Sequence, residues 1–353
     1  MEKDDLHKLL KYAVIKSASD IHLSAGMPPV VRINGSIHRL NLPAIKMEEL
    51  TALIDTILTG EQADAFTRNK ELDFAYVIEG ISRFRTNAYQ QMHGPALAFR
   101  TIPERVQSLE ELQCPAGVIA LAKERKGIVL VTGPTGSGKT TTLAAMLDLI
   151  NRERNDHILT IEDPIEYVHA SQKCMVNQRE LGTHTNSFEN ALRAALREDP
   201  DVILVGEMRD LSTISLALTA AETGHLVFAT LHTMGAAETI NRIVDVFPAG
   251  EQGQVRSMFS NALTGVVSQR LLPTSDGRSR VAVHEILIAN SAIRNLIRED
   301  KTHQLLSVMQ TSASTGMQTI DTALLNAVKQ GRITREMAAT QAHDKRAILN
   351  SGL

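Results

Sequence analysis

Eight residues constrain this chain more than any others. Gly133 to Thr140 reads GPTGSGKT and fills every fixed position of the pattern G-x-x-x-x-G-K-[ST]. That pattern carries chemistry in one context: a strand that stops, a glycine-rich turn, and a helix that starts. Both flanks supply it. Gly127 to Thr132 (GIVLVT) is an apolar, β-branched run, and Leu143, Met146, Leu147 and Ile150 recur behind it at helical spacing. The glycines let consecutive backbone N–H groups turn inward around phosphate oxygens, and the helix N-terminus adds partial positive charge. The nucleotide contacts expected are Gly133, Pro134, Thr135, Gly136, Ser137, Gly138, Lys139, Thr140 and Thr141. Lys139 would bridge the β- and γ-phosphates of ATP, and the Thr140 hydroxyl would ligate Mg²⁺. A chance glycine-rich turn has no reason to carry strand, helix, lysine and threonine together. What the nucleotide drives is not written in these residues.

The surrounding sequence places the loop in a parallel sheet. Ile158 to Ile161, Val202 to Val205 and Leu226 to Leu231 are further short apolar runs, each separated from the next by helix-period sequence. This is the βαβ grammar of a sheet with helices on both faces. Beyond about residue 250 the chain reads as mainly helical, with one strand run at Val281 to Ile288. The first hundred residues differ. Val30 to Leu40 alternates around Asn34-Gly35, a hairpin signal, and Met47 to Leu58 has helical spacing. Leu72 to Val77, Ser82 to Tyr89 and Ala96 to Ile102 read as strands, punctuated by Gly80 and Gly94. The expectation is a small α+β domain on an antiparallel sheet over residues 1–102. A proline-bounded linker follows at 103–115, then an α/β core at 116–275 and a mainly helical region at 276–353.

Composition narrows the function. The charge balance, 37 basic against 40 acidic residues, excludes a chain that works by blanket neutralisation of a phosphate backbone. Trp is absent and Tyr and Phe are sparse, which argues against stacking platforms for single-stranded nucleic acid. No apolar run approaches the ~20 residues that span a bilayer. The start, MEKDDLHKLL, is not a signal peptide. Two distant cysteines, Cys114 and Cys174, form neither a CxxC pair nor a zinc ribbon, so no zinc is expected in what reads as a reducing-compartment protein.

Three further segments bear candidate chemistry. Ile158 to Glu166 (ILTIEDPIE) delivers Glu162, Asp163 and Glu166 at the end of a strand, where open α/β sheets place their ligands. A carboxylate there can orient an attacking water or hold Mg²⁺ through its hydration shell; a strand-end turn with solvated acids reads the same. Asp199 to Glu207 (DPDVILVGE) runs four apolar residues toward an acid, with Gly206-Glu207 standing where an Asp is usual. Glu207 is therefore the candidate for Mg²⁺ or water positioning. Gly224 to Thr233 (GHLVFATLHT) puts His225 and His232 at the two ends of one strand, as structural residues or as sensors of the phosphate. The strand would hold them about 20 Å apart, which excludes a shared metal.

In that order and spacing, the four segments resemble the Walker A, Asp box, atypical Walker B and His box of the secretion-superfamily ATPases. SASDIHLS (Ser17 to Ser24) and AIRNLIRED (Ala292 to Asp300) resemble the PilT family of type IV pilus retraction ATPases in particular. The resemblance covers almost the whole chain. It implies an N-terminal PAS-like domain followed by a RecA-like P-loop ATPase domain with a helical C-terminal region. It also implies a cytoplasmic homo-hexamer that powers pilus retraction and twitching motility through an inner-membrane platform protein, alongside other pilus motor ATPases.

By the same resemblance, Glu166 matches the general base, Glu207 the Walker B glutamate, and His225 and His232 the His-box pair. Arg85 and Arg100 match arginines that reach the γ-phosphate, although on strand segments an arginine is as readily a solvated or ion-paired face. ATP would bind between two domains, with hydrolysis releasing the arginines. A pilus assembly or type II secretion ATPase is an alternative reading, but those relatives commonly add a four-cysteine zinc motif and extra N-terminal domains, neither of which is expected from two cysteines and 353 residues. An accessory retraction paralogue fits the motifs equally well, and a RecA-like nucleic-acid motor is the reading from another class. In AIRNLIRED, Ile293 and Leu296 are expected to dock the helix, while Arg294 and Arg298 face an acidic partner.

Overall fold

The computed structural model describes residues 2–33, 35–102 and 105–350. It divides into two compact units, Met1–Arg105 and Val106–Leu353.

The first unit is built from α1 (Lys3–Ile15), β1 (Asp20–Ser24), β2 (Val30–Ile33), β3 (Ser36–Arg39), α2 (Met47–Ile57), α3 (Gly60–Asn69), β4 (Glu71–Ile78), β5 (Ser82–Gln91) and β6 (Gly94–Ile102). Its six strands form one antiparallel sheet in the order β3-β2-β1-β6-β5-β4. Alternation decides the faces. Phe84, Ala88, Leu97, Phe99, Ile21 and Leu23 point to a core shared with Leu6 and Leu10 of α1 and Leu50, Leu53 and Ile54 of α2. The opposite face carries Arg85, Arg100, Asp20 and Arg32 in one cross-strand row. The hairpin expected around residue 35 is present, with Ile33 opposite Ser36, while Asn34 lies outside the described residues.

The second unit contains α4 (Ala116–Ala122), β7 (Gly127–Thr132), α5 (Lys139–Glu153), β8 (His157–Glu162), β9 (Met175–Glu180), α6 (Phe188–Ala195), β10 (Val202–Val205), α7 (Leu211–Glu222) and β11 (Leu226–Leu231). It continues with α8 (Ala236–Asp245), α9 (Gln252–Ala262), β12 (Leu263–Pro273), β13 (Arg280–Ile288), α10 (Ser291–Arg298), α11 (Leu305–Thr311), α12 (Ile320–Lys329), α13 (Arg335–Gln341) and α14 (Lys345–Asn350). The sheet order is β13-β12-β7-β11-β10-β8-β9, parallel throughout except for β13. Its two faces bury different halves of each strand. Ile128, Leu130, Ile203, Val227 and Ala229 pack under α6 to α10, whereas Val129, Val131, Val202 and Phe228 pack under α4 and α5.

Three expectations change here. The segment 103–115 is not all linker: Pro103 and Glu104 lie outside the described residues, and from Ser108 the chain is a hydrogen-bonded turn that buries Leu109 fully in the second core. The α/β core does not stop at residue 275, because β13 belongs to its sheet, and α12 to α14 pack on Leu272, Val281 and Val283 of β12 and β13 in a further core.

The third concerns Ala292 to Asp300. Ile293 and Ile297 are buried, so a docking face exists, but Arg294 turns inward with them. Its Nη1 donates to the carbonyls of Ser260 and Asn261, each at 2.5 Å, and its Nε to that of Ala289 at 3.1 Å. The Ser260 and Asn261 carbonyls lie in the last turn of α9, where carbonyls lack intrahelical partners and a cation satisfies them. Arg298 reaches Ser260 Oγ at 3.3 Å, and Asp300 pairs with Arg256 of α9 at 3.0 Å. Arg294 therefore fastens α9, and the partner-facing role expected of it is corrected.

Glu285 of β13 is a second tie. It is 5% exposed, and its carboxylate accepts the Ala236 N–H of α8 at 2.8 Å and the Ile320 N–H of α12 at 3.4 Å. One side chain thereby caps the helix that follows β11 and the helix that opens the C-terminal layer.

Candidate nucleotide site

Because β7, β8, β10 and β11 run parallel, the loops after all four emerge at one edge of the sheet. The first is the glycine-rich turn. Gly133 and Gly138 take φ of +139° and +87°, the region that side chains resist. Space forbids a side chain as well: a Cβ on Gly133 would lie 2.2 Å from the Gln269 carbonyl oxygen, and one on Gly138 2.9 Å from Gln269 Nε2. Gly138 is the residue before α5, so Lys139, Thr140 and Thr141 form its first turn. Lys139 Nζ donates to the carbonyls of Gly133 at 2.7 Å and Pro134 at 3.2 Å. Burial pulls its ammonium below the usual lysine range, and the carboxylates of Glu207 and Glu166 push it back. Those two acids, from different loops, thus both act on the lysine through their charge. The buried Ser137 hydroxyl makes no hydrogen bond among the described residues.

The loop after β8 carries the other carboxylates. Glu166 is half-buried and Asp163 exposed. Glu162, 7% exposed, accepts from Thr160 Oγ1 at 2.6 Å and Gln178 Nε2 at 3.1 Å. Burial pushes its carboxyl up to about 7, against the pull of those hydrogen bonds. Next to Glu166, Tyr167 meets the Thr141 hydroxyl at 3.1 Å and so ties this loop to the start of α5.

Glu207 follows β10. Burial would raise its carboxyl, yet the hydrogen bond and charge of Arg209, with His232 beside them, hold it below the usual carboxylate range. Arg209 Nε lies 2.5 Å and His232 Nε2 3.1 Å from Glu207 Oε1. His225 is elsewhere. Leu226 pairs with Gly127 and Leu231 with Thr132, so His225 sits at the far end of β11 from the glycine-rich turn. Its Nδ1 lies 2.9 Å from the Ala220 carbonyl near the end of α7. Within one chain the histidine pair is not brought together, and His232 alone joins the site.

In the first unit, Arg85 and Arg100 are direct cross-strand neighbours. Arg100 is mostly exposed, and its Nε lies 3.0 Å from Asp20 Oδ1.

The donor set suits Mg²⁺. The Thr140 hydroxyl and Glu207 carboxylate are hard oxygens, and among the described residues no group of three or more His, Cys, Asp or Glu is gathered to hold a metal. Such residues fit an ion that takes most of its ligands from water and phosphate.

Sequence reasoning missed Arg209, Tyr167 and Gln269. Arg209 had a signal, a guanidinium two residues past the acid in GEMRD. Tyr167 and Gln269 had none, because each acts by a contact between distant segments.

Comparison with known proteins agrees with the geometry. Residues 2–341 match the family described as Type II/IV secretion system protein. A twitching motility protein of Neisseria gonorrhoeae is 55% identical over 340 residues, covering 96% of this chain and 91% of that protein. The type IV pilus retraction ATPase PilT of Pseudomonas aeruginosa is 54% identical over 338 residues, covering 96% and 98%. The crystal structure of the pilus retraction motor PilT with bound ADP superposes with a TM-score of 0.90 at 48% identity, covering 98% of both chains. The chain belongs to the type II/IV secretion system protein family and, within it, to the PilT-type pilus retraction ATPases.

Proposed function

We propose that this chain hydrolyses ATP to drive the withdrawal of type IV pili. One observation carries the reading: a complete glycine-rich turn that opens helix α5 with Lys139 bonded to its own loop carbonyls, in a chain 54% identical to a pilus retraction ATPase. The backbone N–H groups of 135–141 bind the phosphates, and Lys139 leaves its loop carbonyls to neutralise them. Glu166 polarises the attacking water and accepts its proton. Glu207, kept ionised by Arg209 and oriented by His232, positions that water or an ion's hydration shell. Mg²⁺, held by Thr140 and Glu207, would supply charge neutralisation at the phosphates.

Arg85 and Arg100 add positive charge toward the γ-phosphate, a role supported by the family resemblance and by the exposure of Arg100. Resemblance also supports the finer reading: a PAS-like first unit, a RecA-like second unit, and a cytoplasmic ring of six subunits. That ring would act on an inner-membrane platform protein, with other pilus motors beside it, without nucleic acid and without zinc.

The test is turnover by the purified chain, alone and with single-stranded DNA, beside Lys139→Ala and Glu166→Gln. Expected are DNA-independent hydrolysis, loss of most turnover in both variants, and retained ATP binding in Glu166→Gln. DNA-stimulated turnover would favour a nucleic-acid motor, and a Lys139→Ala variant keeping over half the activity would overturn the site.

A further inference from the structure

We propose that Gln269, on β12, is a positioning residue for the nucleotide: its carboxamide sets the orientation of the last peptide of the glycine-rich turn and fastens that turn to the helix behind it. The proposal rests on the reading that the turn binds nucleotide phosphate.

Gln269 is 2% exposed, an amide enclosed in the protein. Its strand lies beside β7, with Ser268 opposite Thr132, so the next residue stands alongside the turn that begins at Gly133. Gln269 Nε2 donates to the Ser137 carbonyl at 2.7 Å, and Oε1 accepts from Thr142 Oγ1 at 2.7 Å. The orientation of the amide has one solution. A carbonyl only accepts, so the nitrogen must face Ser137, and the Thr142 hydroxyl is then the donor to the oxygen.

Peptide geometry carries this outward. In a trans peptide the C=O and the following N–H point in opposite directions. Holding the Ser137 carbonyl toward β12 therefore directs the Gly138 N–H away from β12. That N–H belongs to the residue immediately before α5, where a helix N-terminus and a nest of amides receive an anion. The φ of +87° at Gly138 and the absence of its side chain are what let the amide approach. At its other end, Thr142 lies one turn from Lys139 and two residues from Thr140, so the same carboxamide sets where those side chains begin.

A purely structural strut and a positioning strut make different predictions for folded protein. The probe is a fluorescent ADP analogue, titrated into full-length protein well below its melting temperature. Gln269→Glu keeps an acceptor for Thr142 but sets a carboxylate oxygen against the Ser137 carbonyl, and Gln269→Met removes both bonds at similar volume. Each should weaken ADP binding about tenfold or more, the scale of one lost buried hydrogen bond. Thr142→Val, which spares the Ser137 contact, should weaken it less, and Thr142→Ser should restore the wild-type constant.

If wild type fails to bind the probe, the nucleotide reading itself falls. If wild type binds and the folded Gln269 variants bind within twofold of it, the positioning role is overturned. If neither Gln269 variant folds, Thr142→Val decides: an affinity equal to that of Thr142→Ser overturns the proposal, and a loss that Thr142→Ser reverses supports it.

Discussion

Replacing Glu285 by glutamine should destabilise the second unit without touching any residue at the glycine-rich turn. The carboxylate accepts from two helix N-termini at once, α8 at 2.8 Å and α12 at 3.4 Å, while 5% exposed. Glutamine offers one oxygen, so one helix keeps its acceptor and the other faces an N–H₂ group. The loss is one charge-assisted hydrogen bond, about 1.5–3 kcal/mol, plus the attraction of a negative charge to two helix ends, about 0.3–1 kcal/mol each. Together these come to about 2–5 kcal/mol, or a fall in Tm of about 4–20 °C for a unit of this size. Scanning calorimetry measures the shift. Hydrogen exchange locates it, with faster exchange expected at 236–239 and 320–323 and little change in β7. A Tm within about 1 °C of wild type, or acceleration spread evenly over the unit, would refute the double-cap argument.

Glu162 makes stability pH-dependent. Its carboxyl titrates near 7 when folded, against 4.5 for an ordinary glutamate, so between those values the folded state holds a proton that the unfolded state has released. Stability must then fall as pH rises through that window, by up to about 3 kcal/mol. Glu162→Gln should gain on wild type at pH 8 and not at pH 4.5 in parallel urea titrations; a gain independent of pH would refute the assignment. Arg294→Ala should lower stability by about 1–2 kcal/mol by releasing the carbonyls of α9, whereas Arg298→Ala, with one long bond, should stay within about 0.5 kcal/mol. Equal losses in the two variants would show that capping is not what Arg294 does.

Much of this architecture was legible because local chemistry and fold agree. GIVLVT, VILV and LVFATL became strands with the boundaries read from sequence, being short, β-branched and followed by turn residues or acids. The Leu50, Leu53 and Ile54 stripe of α2 likewise stood out by its spacing. β12 was hidden. A strand buried on both faces has no alternation, and Leu263 to Leu272 reads as readily as a helix. β9, at the sheet edge, is polar enough to read as loop. The site shows the same divide. Lys139, Glu166, Glu207 and His232 are motif residues, and their motifs lie at strand ends, so topology alone delivers them to one edge. Arg294 defeated the spacing argument, because a long cation at an intermediate helix position can turn toward a neighbouring helix end as easily as to solvent. His225 defeated symmetry: two histidines at the ends of one strand share a motif and no surroundings.

The self-bonded lysine has a consequence for selectivity. Lys139 does not await its ligand in water, since its ammonium already donates to the Gly133 and Pro134 carbonyls. Whatever recruits it must outbid two neutral acceptors, so the lysine contributes only the difference between the old bonds and the new. A neutral ligand offers an even exchange and gains nothing. A singly charged group gains a little, and a polyphosphate, with several anionic oxygens within reach, gains most. The residue acts as a threshold on ligand charge: a diphosphate and a triphosphate both pass it, while the far more numerous uncharged and weakly charged metabolites of a cell are left outside.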